Sequence, residues 1–252
     1  LNFDPASFAL DTGSMDQVLG LVKENNLTVS WVLDTHPHAD HVMASSRLKK
    51  QTGAPNAIGV KVKEIAELWR EIYHTPEAFE PDRDFDRLFV DGDTFKIGSL
   101  EVSVMLSVGH TLGSISYICG DAIFAHDTFM QPDSGTARAD FPGGSTEELW
   151  NSLQKILSLP GNTRVFVGHD YGAKNRNEPA WEATVDEHKA HNVHVKDGTK
   201  KEDYIKVRND RDATLSLPDR MLAALQINLR AGQLPDAEAD GDHYLKIPVN
   251  KF

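Results

Sequence analysis

The chain has 252 residues, 40% hydrophobic and 25% charged, with a formal net charge of -12 and a single cysteine. Those values fit one large globular domain or one domain plus an appendage, and rule out an internal disulfide. They argue against a long phosphate backbone as partner, which the negative field would repel unless a local basic patch overcame it. A chain of this length buries roughly three quarters of the surface its unfolded form exposes, so one large domain needs no staples.

No run of about 18 apolar residues exists, and the start "LNFDPASFAL" has neither a basic region nor a long apolar stretch. This predicts a soluble intracellular protein with no membrane or nucleic-acid partner. "RLKK" at 47–50 and "KDGTKK" at 196–201 read as solvated surface. The first residue is Leu, which points to a missing or processed N-terminus.

In chain order, "SMDQVLGLVKEN" predicts a helix. Ser14 and Gln17 have capping-box spacing, and Met15, Val18, Leu19 and Val22 form one stripe. "LTVSWVLDT" predicts a strand that delivers His36. "DHVMASSRLKKQTG" then reads as a helix with Asp40 near its start and Gly53 as its stop. "DGDTFKIGSLEVSVMLS" gives an Asp-Gly turn and a strand alternating Val102, Val104 and Leu106, ahead of His110 in "VGHTLGS". "SISYICGDAIFAHD" predicts two strands about Gly120-Asp121, with Asp127 at the exit.

"GSTEELWNSLQKILSLPG" predicts a helix with a Ser145/Glu148 capping box and a Leu149, Leu153, Ile156, Leu157 stripe. "TRVFVGHD" is a strand delivering His169. From about residue 173 a more polar, helical extension is expected, including "PDRMLAALQINLRAG" between Pro218 and Gly232.

His36, His110, Asp127 and His169 thus each follow a predicted strand, where loops gather ligands. With His38, Asp40 and His41 they form a metal-type constellation. Imidazole and carboxylate donors suit zinc, iron or manganese without choosing among them, and counting ligands alone would assign His38, Asp40, His41 and His169 to a second metal. Other histidines read blandly: His188, His191 and His194 as a solvated helix face, and His126 as turned away by strand alternation. Cys119 reads as a buried small residue.

"THPHADH" at 35–41, "GHT" at 109–111, "HDT" at 126–128 and "GHD" at 168–170 resemble the metallo-β-lactamase superfamily, in order and over most of the chain. The resemblance implies an α/β fold, an αββα sandwich of one domain over 1–252. Its usual N-terminal strands would be absent or truncated here. Within that superfamily, "GTARADFPGGSTEELWNSLQKILSLPGNTRVFVGHDYG" (135–172), "QINLRAGQLP" and "YLKIPVN" resemble persulfide dioxygenases of the ethylmalonic-encephalopathy-protein type. No rhodanese-like module with a catalytic cysteine loop is present in the sequence.

That resemblance implies one Fe(II) per chain held by His36, His110 and Asp127, a facial triad leaving about three positions open. His38, Asp40, His41 and His169 would stand behind the ligands and orient them or nearby waters. Glutathione persulfide and dioxygen are the implied substrates, sulfite and glutathione the products. A dimer is implied too, cytoplasmic in a bacterium or in the mitochondrial matrix of a eukaryote. The competing reading is a glyoxalase-II-like hydroxyacylglutathione thioester hydrolase with two zinc or iron ions.

An anionic substrate calls for Arg138, Tyr171, Asn228 and Arg230. Each has a structural alternative. Arg138 could brace its loop through Asp140, Asn228 and Arg230 could cap the tail, and Tyr171 could simply pack. Thr111 reads as loop support.

Overall fold

The computed structural model describes residues 1–174 and 176–252. They form two compact units, one of residues 1–89 with 216–252 and one of residues 90–215.

The first unit opens with a short antiparallel ladder, β1 (Asn2–Phe3) with β2 (Leu10–Asp11), followed by α1 (Gly13–Glu24). Then come β3 (Val32–Leu33), α2 (Ser45–Thr52), β4 (Asn56–Gly59), α3 (Val62–Tyr73), α4 (Pro81–Asp84) and β5 (Arg87–Phe89). β3, β4 and β5 make a parallel three-stranded sheet among the described residues. All four residues of β4 are buried, as a central parallel strand requires.

Three expectations for this unit change. The strand predicted over 27–35 shrinks to Val32 and Leu33, because β4 pairs with it only through Asn56 and Ala57. The capping box at Ser14 does not form. Thr12 is the N-cap, and the Ser14 hydroxyl donates instead to Asn2 Oδ1 at 2.5 Å. α2 starts at Ser45, so Asp40 belongs to the preceding loop, while Gly53 closes the helix as expected.

The second unit carries β6 (Thr94–Ile97), β7 (Leu100–Leu106), β8 (Ile115–Cys119), β9 (Ala122–His126), α5 (Thr146–Leu157), β10 (Arg164–Val167), β11 (Glu182–Thr184), α6 (Val185–His191) and α7 (Lys201–Asp212). Among the described residues its strands form one sheet in the order β11-β10-β9-β8-β7-β6. The β9–β10 pair is parallel and the other pairs are antiparallel. α5 crosses between the two parallel strands. Ser145 caps it by accepting from the Glu148 backbone N–H. Its stripe of Leu149, Leu153, Ile156 and Leu157 is buried with Ile123, Ala125 and Val165, stabilising by about 2 kcal/mol per side chain.

Cys119 is half-buried at the end of β8, more open than expected. The chain returns to the first unit with α8 (Met221–Asn228), whose Ala223, Ala224 and Ile227 share a small core with Phe3 and Val42. Residues 229–252 form no helix or strand, so the expected helical extension is only partly helical. No described helix is long and apolar enough to cross a membrane.

α6 reverses the expectation for "EHKAHNVH". Val185, His188 and Asn192 have one-face spacing and are all buried, with the His188 ring 4.5 Å from Phe129. Asn192 Nδ2 donates to His188 Nδ1 at 3.1 Å, and the Thr136 N–H donates to His194 Nδ1 at 3.0 Å. Only His191 of the three is exposed. A capping box of Thr184 and Glu187, which the sequence reading missed in "TVDE", starts this helix.

Burial holds both His188 and His194 down at about 4, below the ordinary 6.5. A folded-state pKa below the unfolded value means that the unfolded chain takes up protons first as pH falls. The stability these rings contribute is therefore complete above pH 6.5 and lost between 6.5 and 4. The melting temperature should fall across that window, and His188→Leu should flatten part of the slope. An unchanged slope in that variant would contradict the assignment.

Candidate metal centre

In the first unit, the loop after β3 brings its ligand-type side chains together by local chain geometry. The His36 and His38 rings lie 4.1 Å apart, and those of His38 and His41 4.2 Å apart. His38, Asp40 and His41 each offer a ligand atom within 4.8 Å of the others. His36 is buried, with its Nδ1 3.1 Å from Thr35 Oγ1. Asp34, unremarked in the sequence reading, is half-buried just before the loop, and desolvation of its carboxyl pushes it up to about 6.

Asn228 holds this loop from below. Its Nδ2 donates to the carbonyls of His38 and His41 at 2.7 and 2.8 Å, and its Oδ1 accepts from the Met43 N–H at 2.8 Å. The side chain is fully buried. Arg230 lies at the end of the same turn with its guanidinium 4.5 Å over the Phe79 ring and a hydrogen bond to the Gln226 carbonyl.

In the second unit, three sheet ends converge on Asp127. Its Oδ2 lies 3.6 Å from His110 Nε2 and its Oδ1 lies 3.6 Å from His169 Nε2. Two donors bound to one ion at bonds near 2.1 Å are themselves about 3.0–3.6 Å apart, so this spacing suits shared ligation. His110 Nδ1 is 2.8 Å from the Arg138 carbonyl. A carbonyl can only accept, so the proton sits on Nδ1 and Nε2 keeps its lone pair for a metal. The donor set and its spacing fit a metal ion.

The glycine of "GHD" has a reason: a Cβ on Gly168 would lie 2.5 Å from Asp127 Oδ1. His126 points away from Asp127's partners as expected, its Nε2 3.1 Å from Ser107 Oγ and 3.0 Å from Thr128 Oγ1. Tyr171 is exposed and stacks on His169, with ring centroids 5.5 Å apart and planes 10° apart. Asp170 accepts from Arg176, the Gly172 N–H and the Ala180 N–H, which hold its carboxyl well below the usual range.

Arg138 donates both Nε and Nη2 to Asp140 at 2.7 Å, and its guanidinium lies 4.7 Å over the Phe141 ring. The Thr111 hydroxyl is 2.7 Å from Ser114 Oγ, within its own loop. Sequence reasoning singled out the Arg138 side chain and missed its carbonyl, because a backbone acceptor leaves no mark in the residue type.

The model of the Metallo-beta-lactamase superfamily matches residues 4–169. A "Beta-lactamase hydrolase-like protein" of Xylella fastidiosa is 51% identical over 99% of the chain and 58% of its own length. The chain thus spans under two thirds of that relative. "Glyoxylase B2" of Dictyostelium discoideum is 42% identical over 99% of the chain and 86% of that protein. Among solved structures, ETHE1 from Myxococcus xanthus is similar with a TM-score of 0.71 and 31% identity, covering 88% of this chain and 85% of that one. With a mixed α/β fold, metal-type residue groups and a family match over well over half its length, the chain belongs to the metallo-beta-lactamase superfamily.

Proposed function

We propose that the chain oxidises glutathione persulfide with dioxygen at a single Fe(II), with His36, His110 and Asp127 as ligands. The observation that carries this reading is the sequence likeness to ETHE1. The superfamily model stops at residue 169, but that likeness covers 88% of the chain, so it takes in part of the later segment as well. A fold-level match at 18% identity reaches as far along the chain, so it is the 31% sequence identity that supports this reading.

Bound iron would supply open coordination positions for the persulfide and for dioxygen. The chain's own groups do the rest. The Arg138 carbonyl keeps the His110 proton on Nδ1, and the Asn228 amide fixes the loop that carries His36. His38, Asp40, His41 and His169 orient ligands and waters beside the ion. Tyr171, exposed over His169, is the residue we assign to substrate contact. Arg138 and Arg230 are engaged by Asp140 and by the Phe79 ring and Gln226 carbonyl, so we assign them to bracing. In the reaction the outer sulfur is oxidised to sulfite and dioxygen is reduced. Water supplies the third oxygen, and glutathione leaves as the thiol.

One observation favours a second reading. Both oxygens of Asp127 face a histidine at 3.6 Å, as a carboxylate bridging two metals would. With the Dictyostelium relative, this supports a two-metal thioester hydrolase. Anaerobic iron loading followed by glutathione persulfide separates the two. We expect oxygen uptake matched by sulfite, at about one iron per chain. No uptake, together with two metals per chain and cleavage of lactoyl-glutathione, would establish the hydrolase instead.

A further inference from the structure

The Arg138 carbonyl that accepts from His110 is part of a loop whose backbone polar groups are gripped by residues far along the chain. The Gly135 carbonyl accepts from Asn192 Nδ2 at 3.1 Å. The Thr136 N–H donates to His194 Nδ1 at 3.0 Å, and the Thr136 carbonyl accepts from Arg208 Nη1 at 2.9 Å. The Thr136 hydroxyl is 3.2 Å from the Tyr204 hydroxyl. The Ala139 N–H donates to Asp212 Oδ2 at 2.9 Å. Arg138 lies between the two backbone groups held by Arg208 and Asp212, with buried alanines on either side.

Arg208 and Asp212 are one turn apart on α7 and pair at 2.6 Å, each about 95% buried. Taking two charges out of water costs several kcal/mol per ion before pairing offsets it, so stability alone is a weak reason for them. Arg208 Nη1 and Asp212 Oδ2 face the backbone of the 136–139 loop. An ion pair that grips the Thr136 carbonyl and the Ala139 N–H holds this stretch at both ends, and the second grip falls on the Arg138–Ala139 peptide itself. That peptide carries the carbonyl that meets His110 Nδ1.

We propose that the Arg208–Asp212 pair is a positioning device for the metal ligand His110, acting through the Arg138 carbonyl. It sets the ring's tautomer and aim, and so the affinity of the metal. All of its parts beyond the loop, Asn192, His194, Tyr204, Arg208 and Asp212, lie after residue 169, where the superfamily model ends. The segment following the shared fold thus reaches back to tune one ligand of the shared site. The inference rests on metal binding at His110, not on which reaction follows.

Zinc affinity by chelator competition tests this without any turnover. Removing one partner would leave a buried lone charge and risks unfolding, so the test variant is the double change Arg208→Met with Asp212→Leu, which removes both charges together. We expect it to fold and to bind zinc about 10–100-fold more weakly, the usual loss when a ligand's outer partner is removed. Arg208→Met with Asp212→Asn, which leaves no lone charge and still offers an acceptor to the Ala139 N–H, should fall between wild type and that double variant. A folded double variant with wild-type zinc affinity would overturn the proposal.

The wild-type zinc protein supplies a check that needs no variant. Its His110 Nδ1–H should give a slowly exchanging imidazole proton signal by NMR. Ligation through Nδ1, or a rapidly exchanging proton there, would overturn the proposal. Wild-type protein that binds no zinc or iron would instead refute the metal-site reading itself.

Discussion

Gly109→Ala should lower the melting temperature by about 6–20 °C and strip the protein of metal. Gly109 has φ +129, a conformation L side chains rarely adopt. A Cβ there would lie 2.2 Å from the Leu149 backbone N and 2.3 Å from its Cα, in the first turn of α5. Backbone cannot yield as a side-chain tip can. The strained φ costs about 1–3 kcal/mol, and the collision brings the total to roughly 3–5 kcal/mol. For a chain of this size each kcal/mol shifts the midpoint by about 2–4 °C.

The Gly109 carbonyl also accepts from the Ser145 N–H, so relief of the clash drags the α5 cap and the neighbouring His110 together. Thermal unfolding and metal content measured on the same preparation check this. A variant with wild-type midpoint and full metal would show that the α5 start is free to move, contrary to its packing.

Asn228→Ala should have the next largest effect. It removes the amide that joins three backbone groups of the His36–Met43 loop, leaving two carbonyls and an N–H buried without that partner. Each such loss costs about 1–3 kcal/mol, tempered by relaxation, so about 2–4 kcal/mol overall is expected. Asn228→Asp should be no better, because a carboxylate cannot donate to the His38 and His41 carbonyls. Metal retention after dialysis should drop in both variants.

If Asn228 instead binds the substrate carboxylate, Asn228→Ala would keep its metal and midpoint and only raise KM. The kinetic and metal measurements together separate the roles. Arg230→Ala, which removes a cation stacked on Phe79, should cost less than Asn228→Ala and leave metal content unchanged.

Much of this site is legible in the letters because its logic is local. A short apolar run followed by histidine or aspartate marks the end of a strand, and strand ends are where ligands collect. His110, Asp127 and His169 do follow β7, β9 and β10, and α5 appears where its cap and stripe place it. The failures are local signals overruled by partners elsewhere. The 27–35 strand needed a longer neighbour than β4 offers. His188 looked solvated because nothing nearby in sequence reveals that Phe129 covers it.

By itself, then, the sequence determined the donor types, their order and the strand ends that carry them, since these follow from side-chain chemistry and short-range periodicity. Tertiary structure alone decided what holds the donors still. The Asn228 amide reaches back 190 residues to the His38 carbonyl, and Arg208 reaches back 72 to the Thr136 carbonyl. Their acceptors are backbone oxygens, which every residue possesses, so no pattern of letters distinguishes the ones that matter. Only the folded path of the chain selects them.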